Sequence, residues 1–324
     1  PRPILVEAIT FRMRGHEEAS GTKYVPKHLM EEWAQLDPVE NYEAYLESIG
    51  VLDAATKEKL NKKVKKAIND ALEIAFAEEA ITPNLEEELA DVYAPFSQKV
   101  IQPEGPSTEK RFIDAISEGL RQSMEKFPKL ILMGQDIGEY GGVFKITDGF
   151  KAQFGGHRVR NTPLCESAII GAGLGLSIKG YKAMVEMQFA DFVSVGFNQI
   201  VNNLAKIHYR WGQNADVVIR MPTGAGTAAG PFHSQSNEAW FFHTPGLKIV
   251  YPSNPHDAKG LLNAALEDPN PYLYFEHKLL YRSILGPVPD SYYTVEVGKA
   301  ALAKKGTQVS IISYGMGVHW AIKA

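Results

Sequence analysis

Cysteine is nearly absent from this sequence. Cys165 is the only one in 324 residues. That excludes an internal disulfide framework and a cysteine-rich zinc site, and it suits a reducing, cytoplasmic-type compartment. A basic surplus is absent as well: 34 Lys and Arg stand against 38 Asp and Glu, for a formal net charge of −4. A nucleic-acid binder would carry the opposite balance, so no nucleic-acid partner is expected. Long hydrophobic runs are missing. Residues 167–187 are the most apolar stretch, yet Lys179, Lys182 and Glu186 interrupt it, so no membrane span or membrane partner is expected. The stretch from Gly224 to Gly230 lacks the Gly-Lys-Ser/Thr ending that grips nucleotide phosphates. Gly171, Gly173 and Gly175 imitate a dinucleotide fingerprint, but Leu176 stands where the pattern needs glycine. A nicotinamide-dependent oxidoreductase is thereby disfavoured, and the small residues read better as allowing close helix packing. There is no signal-peptide pattern and no initiating Met; Pro1-Arg2-Pro3 runs straight into an apolar pattern. Residues 309–314 read as a buried strand, and 315–324 as a helix that has only begun. Both ends read as cut within folded units, and we take the chain as an internal piece of a longer protein.

What is present is an ordinary globular mixture, 44% hydrophobic and 22% charged, sufficient for two domains with a packed core. Residues 4–12 carry a strand signal, and a polar loop with His16 follows. Asp37-Pro38 opens a helix that Gly50 ends. Asp53 opens a longer one, in which Leu60, Val64, Ile68, Ala71, Leu72, Ala75 and Phe76 recur at helical spacing and the Lys run forms a solvated face. Residues 83–106 hold four prolines and little periodicity, and read as a linker. Beyond it the pattern changes. Phe112, Ile113, Ile116, Leu120 and Met124 mark an amphipathic helix, and residues 130–133 a strand. A glycine-rich loop spans 134–144, and a Gly/Ala-rich helix follows 161–167. Strands at 183–189, 217–221, 247–251 and 272–276 then alternate with helices at 197–211 and 255–266. This alternation implies an α/β domain, a doubly wound and mostly parallel sheet, with its ligand crevice beyond the carboxyl ends of the strands.

Three loops at such strand ends carry unusual polar residues. In Thr162-Pro163-Leu164-Cys165-Glu166-Ser167, Glu166 sits between apolar neighbours and a Gly/Ala-rich helix. Burial favours the neutral form of a carboxyl, so an acid there suits proton donation or a strong hydrogen bond; the plainer reading is an acid favoured by the helix dipole. In Glu186-Met187-Gln188-Phe189-Ala190-Asp191-Phe192, Gln188 offers an amide and Phe192 a ring for stacking, or else a strand-end amide and a core Phe. Pro231-Phe232-His233-Ser234-Gln235-Ser236 follows the glycines of 224–230, and His233 is the natural acid or base there, or an incidental surface His.

Taken together, Gly134-Gln135-Asp136-Ile137-Gly138, Tyr140-Gly141-Gly142-Val143-Phe144, Thr162-Pro163-Leu164-Cys165-Glu166, the segment from Glu186 to Phe192, Gln199-Ile200-Val201-Asn202 and His233-Ser234-Gln235-Ser236 resemble the beta subunit of the 2-oxoacid dehydrogenase first component, a transketolase-like pyrimidine-binding domain. The match runs in order from about residue 107 to 324. Glu7-Ala8-Ile9-Thr10-Phe11-Arg12, Gly15-His16 and Asp91-Val92-Tyr93 resemble the tail of the alpha subunit more loosely. An alpha tail followed by a beta start implies one fused polypeptide. The corresponding divisions are a helical alpha-subunit tail at 1–95, a linker at 96–107, the pyrimidine-binding domain at 108–290, and the start of a transketolase C-terminal-like domain at 291–324.

The resemblance implies thiamine diphosphate as cofactor. Glu166 would hydrogen-bond the ring nitrogen of its aminopyrimidine, the central catalytic contact, and the cofactor would act as electron sink for decarboxylation of a 2-oxo acid. Leu164 and Phe192 would contact the pyrimidine, Gln188 would line the pocket, and His233 would handle protons during acyl transfer to a lipoyl group. His16 would lie near the diphosphate. Mg²⁺ and the diphosphate would be held by an upstream part absent from this sequence, so the chain alone should be an incomplete enzyme. Asp268 and Asn270 match a loop that holds a monovalent cation in some relatives, although Asp-Pro-Asn-Pro is also strong turn chemistry. The implied partners are the lipoyl acyltransferase of the complex and a second copy of the fused chain. A branched-chain 2-oxo acid is the favoured substrate, with pyruvate or acetoin enzymes as alternatives, or, for the isolated chain, a segment serving only assembly. Two departures stand out. Gln135 occupies a position usually held by Glu, and Glu17 and Glu18 follow His16 where the family carries a regulated Ser.

Overall fold

The computed structural model describes Arg2 and residues 4–324; Pro1 and Pro3 lie outside the described residues. Backbone contacts divide the chain into two units, residues 1–82 and 83–324, and each is described by itself.

The first unit is helical: α1 (Lys27–Ala34), α2 (Pro38–Ser48) and α3 (Ala54–Ala77). The helix starts follow the local chemistry. Asp37 accepts from the backbone N–H groups of Val39 and Glu40 at 2.8 and 3.1 Å, with Pro38 in the first turn. Asp53 caps α3 through Thr56 N–H at 2.6 Å. The strand expected at 4–12 does not form. Ile4, Leu5, Val6 and Ile9 are exposed, and a strand needs a neighbouring strand to take its backbone hydrogen bonds; none lies among the described residues of this unit. The apolar stripe of α3 stays open too: Leu60, Val64, Ile68 and Leu72 are 45–56% exposed.

The second unit begins with α4 (Leu85–Ala90) and β1 (Ser107–Arg111). It continues through α5 (Phe112–Lys126), β2 (Leu130–Gly134), α6 (Phe150–Phe154), β3 (Val159–Asn161), α7 (Glu166–Ile178) and β4 (Lys182–Glu186). Then come α8 (Ile207–Trp211), β5 (Val217–Thr223), β6 (Lys248–Val250), α9 (Pro255–Glu267) and β7 (Tyr272–His277). The unit closes with α10 (Leu280–Ser283), β8 (Leu285–Pro289) and α11 (Met316–Lys323). Six strands form one parallel sheet in the order β3-β2-β4-β5-β7-β6. Because side chains alternate along a strand, each strand feeds both faces. Leu130, Leu132, Met184, Val218, Tyr272 and Tyr274 join the core shared with α5 and α9. Ile131, Met133, Val185, Val217, Ile219, Leu273 and Phe275 join the core beneath α7. Gly173 is needed on that side, since a Cβ there would lie 3.2 Å from Val185 and 3.4 Å from Val217. That contact is the close packing expected of the small residues in this helix.

One strand pair was not expected, and two further expectations change. β1 and β8 form an antiparallel pair outside the main sheet; the polar sequence of β1 carries no strand alternation. The helix expected at 197–211 is broken into a π-helical segment at Gln199–Leu204 and the short α8, and a 3₁₀ segment at Ala190–Gly196 precedes it. Residues 309–314 form no strand, and Val309 and Ile312 are 75% and 95% exposed, again without a partner strand. The segment read as a linker lies along this unit: Gln98 bonds the backbone of Val295 and Val297, and Ile101 N–H donates to Thr294.

Candidate active site

All six parallel strands point their carboxyl ends the same way, so the loops after them share one edge of the sheet. The loop after β2 delivers Gln135 and Asp136. The loop after β3 delivers Leu164, and Glu166 opens α7. Gln188, Phe189, Asp191 and Phe192 follow β4, His233 follows β5, and Lys278 follows β7.

Glu166 is 5% exposed. It sits in the first turn of α7, where the helix dipole favours an acid. Gln135, itself buried, donates its side-chain amide to Glu166 Oε1 at 3.1 Å. Among the described residues the second carboxylate oxygen, Oε2, makes no hydrogen bond. Leu164, two positions before Glu166, is 82% exposed. Gln188 is half-buried and donates to Asp136 Oδ2 at 3.3 Å. The Phe192 ring is half-buried and meets His233 edge-on, with centroids 5.5 Å apart. His233 also stands edge-on to Phe189 at 4.6 Å. Adjacent residues thus join two groups: Glu166 touches Gln135, Asp136 touches Gln188, and Phe189 touches His233. No hydrogen bond or ring contact joins Glu166 to His233 directly.

His16 belongs to the first unit and is exposed there. Asp268 and Asn270 are buried in the turn between α9 and β7. Asp268 accepts from Lys248 Nζ, from Tyr272 O–H at 2.9 Å, and from the backbone and side chain of Asn270 at 3.0 and 2.7 Å. Asn270 exchanges two hydrogen bonds with the backbone of Ala94, at 2.8 and 3.0 Å. Both side chains are therefore committed to protein donors and acceptors as a clasp. Among the described residues no group of three or more His, Cys, Asp or Glu is placed to hold a metal ion.

Under the edge lies an ionic network that the sequence reading did not find. Arg220, fully buried, forms a bidentate pair with Glu276 at 2.5 and 2.7 Å and a second bond to Glu186 at 2.6 Å. Tyr281 O–H donates to Glu276 at 2.6 Å. Burial pushes the Glu186 carboxyl up, while the two carboxylates hold the guanidinium charged, well above its ordinary range. The signal was available: charged residues in three otherwise apolar strands, with Glu186 and Arg220 in register on neighbouring β4 and β5. Also unanticipated were His277, which burial and the Lys278 charge push down to about 4, and Lys278, which burial pushes down to about 8.

An all-parallel sheet with polar loops gathered at its carboxyl edge defines an α/β domain of the class in which ligands bind beyond the strand ends. Comparison with known families is more specific. Residues 109–283 match the transketolase pyrimidine-binding domain, and residues 1–84 match the dehydrogenase E1 component. The chain belongs to the transketolase pyrimidine-binding domain family. Among similar proteins, the 2-oxoisovalerate dehydrogenase subunit beta of Bacillus subtilis is 47% identical over 66% of this chain and 66% of its own length. The mitochondrial subunit of the same name from Dictyostelium discoideum is 42% identical over 69% of this chain and 61% of its own. The pyruvate dehydrogenase E1 component subunit beta of Bacillus subtilis is 41% identical over 65% and 66%. The chain therefore spans less than two thirds of the length of these relatives.

Proposed function

We propose that this protein is part of a thiamine-diphosphate-dependent 2-oxoacid dehydrogenase that decarboxylates a 2-oxo acid and passes the acyl group to a lipoyl carrier. The observation that carries the reading is Glu166: a buried carboxylate at a sheet edge, with one oxygen held by Gln135 and the other uncommitted. The residues present fit the pyrimidine end of that cofactor. An aminopyrimidine needs a buried carboxyl for its ring nitrogen, apolar surface for its faces and an amide at its rim. Glu166, Leu164 with Phe192, and Gln188 are of those types. When bound, the cofactor supplies the electron sink for loss of CO₂. Glu166 holds the proton shared with the ring nitrogen. Leu164 and Phe192 orient the ring and exclude water from it. His233 moves the proton that accompanies acyl transfer. The diphosphate and Mg²⁺ are assigned to residues outside this sequence, and His16 to the neighbourhood of the diphosphate. We read Asp268 and Asn270 as a structural clasp. The lipoyl acyltransferase is the expected partner, and a dimer of the fused chain the expected assembly.

A branched-chain substrate is favoured, since the 2-oxoisovalerate relatives are more similar than the pyruvate relative, at 47% and 42% identity against 41%. The test follows 2-oxoacid-dependent dye reduction by the native assembled protein, with thiamine diphosphate and Mg²⁺. Pyruvate, 3-methyl-2-oxobutanoate and 2-oxoglutarate are compared, and Glu166→Gln is run beside the wild type. The expected result is a preference for the branched-chain acid and a loss of at least about 100-fold in the variant. Full activity of Glu166→Gln sinks the assignment of Glu166, and inactivity with every 2-oxo acid sinks the reaction class.

A further inference from the structure

The loop that carries His233 is long and rich in glycine. Gly224, Gly226 and Gly230 all have positive φ, as does Ala228 at 56°. Such a loop does not hold a side chain in place by itself. Its carboxyl end is nevertheless tied down, and the tie is a carboxylate. Asp191 Oδ1 accepts the backbone N–H groups of both Ser234 and Gln235, at 3.1 and 3.0 Å. These are the two residues that follow His233. Asp191 is 6% exposed and sits two residues beyond Phe189 and one before Phe192, the two rings that flank His233. A second tie, Asn237 Nδ2 to Ala190 O at 2.9 Å, joins the same two segments.

The carboxylate is only half used. Among the described residues its Oδ2 is buried with no hydrogen-bond partner. Lys278 is buried as well, 4% exposed, and among the described residues its Nζ also lacks a hydrogen-bond partner. It lies 5.4 Å from the centre of the Phe189 ring, and the charge of Asp191 acts on it favourably. A buried carboxylate without a counter-charge would be costly. Lys278 is the cation that the Asp191 charge acts on, and its backbone N–H is anchored to Thr223 O at 3.0 Å, at the root of the His233 loop.

We propose that Asp191 is a positioning residue for His233, with its carboxylate clamping the His233 loop against the Phe189 and Phe192 rings and Lys278 supplying its counter-charge. Asp191 touches no reacting atom in this scheme; it acts through the loop. The proposal rests on the role of His233 in acyl transfer, and its test separates the two.

The experiment uses the native assembled protein, with Asp191→Asn, Lys278→Met and the double variant, and three readouts. Hydrogen–deuterium exchange of the peptide holding Ser234 and Gln235 requires no activity. It should quicken several-fold in Asp191→Asn, because a neutral amide is the weaker acceptor for two N–H groups. Dye reduction reports decarboxylation, and acylation of a free lipoyl domain reports transfer. Asp191→Asn should lower lipoyl acylation about tenfold while dye reduction stays within about twofold, since misplacing a proton-transfer group affects only its own step. Lys278→Met should fail in the same direction, and the charge-neutral double variant should recover part of the loss. Unchanged exchange in Asp191→Asn overturns the clamp. Faster exchange with both activities falling equally overturns the positioning role and leaves a structural one. Faster exchange in a wild-type background that shows no 2-oxoacid activity keeps the clamp and removes the functional reading. Should Asp191→Asn not fold, Asp191→Glu keeps the charge and lengthens the arm, and the same split between the two activities decides.

Discussion

Gln135 donates its side-chain amide to Glu166 at 3.1 Å, joining the loop after β2 to the first turn of α7 across 31 residues of chain. Both side chains are buried. The contact commits one oxygen of Glu166 and, among the described residues, leaves the other without a hydrogen bond. It also puts a neutral donor where a second acid would face the first.

Gln135→Glu should turn that contact into a pair of carboxyls about 3 Å apart, which hold one proton between them to higher pH than either alone. A carboxyl whose folded-state pKa is raised contributes stability at low pH and loses it as pH rises through that value. The variant should therefore match the wild type near pH 4.5 and fall progressively below it by pH 8, by about 1–3 kcal/mol. Thermal unfolding across that range measures it; a deficit independent of pH would contradict the shared proton.

Arg220→Met should leave Glu186 and Glu276 buried without their cation. Removing one partner of a buried ion pair costs about 3–5 kcal/mol, large against a total stability of roughly 5–15 kcal/mol. The loss should be smallest at acidic pH, because burial raises the Glu186 carboxyl and favours its neutral form there, and grow as pH rises. Urea unfolding at pH 5 and pH 8 tests the sign. A loss below about 1 kcal/mol at pH 8 would show that the network contributes little.

Asp216 pairs with Lys182 at 2.7 Å, but burial outweighs the pair and pushes its carboxyl from 3.8 to about 6. The stability tied to its proton is fully present below about pH 4 and is lost as pH rises through about 6. Asp216→Asn cannot titrate. Its stability curve should be flatter than the wild type between pH 4 and pH 6, with the variant gaining on the wild type toward pH 7. Parallel curves in guanidinium titrations at three pH values would show that Asp216 does not titrate in that window.

Asp268→Ala should release Lys248, Tyr272 and Asn270 together and loosen the Ala94 segment, at a cost of about 2–4 kcal/mol. Because protein donors occupy both Asp268 oxygens, exchanging K⁺ for tetramethylammonium should leave the melting temperature unchanged. A shift of several degrees on removing K⁺ would make the clasp a cation site instead.

Much of this architecture is legible in the chain. Alternating strand and helix periods in residues 112–277 reflect one-residue alternation across a sheet and the 3.6-residue repeat of the helices that cover it, and both are local. Asp37 and Asp53 cap their helices through residues two or three positions away, so those starts can be read without any fold. Glu166 stands out by the same kind of argument, as an acid beside a run of small residues.

Other features are not local. Residues 4–12 and 309–314 have strand composition, but a strand exists only if another takes its hydrogen bonds, and composition does not say whether one will. The β1–β8 pair joins residues more than 170 positions apart and has no alternation to announce it. Gln135 against Glu166, Arg220 between Glu186 and Glu276, and Asp191 beneath the His233 loop each depend on strand order. The order β3-β2-β4-β5-β7-β6 brings the ends of distant segments together at one edge. By itself the sequence determined which residues could do chemistry, because that follows from side-chain type and near neighbours. Only the tertiary structure decided which of them meet, because burial and parallel pairing set those distances across the chain.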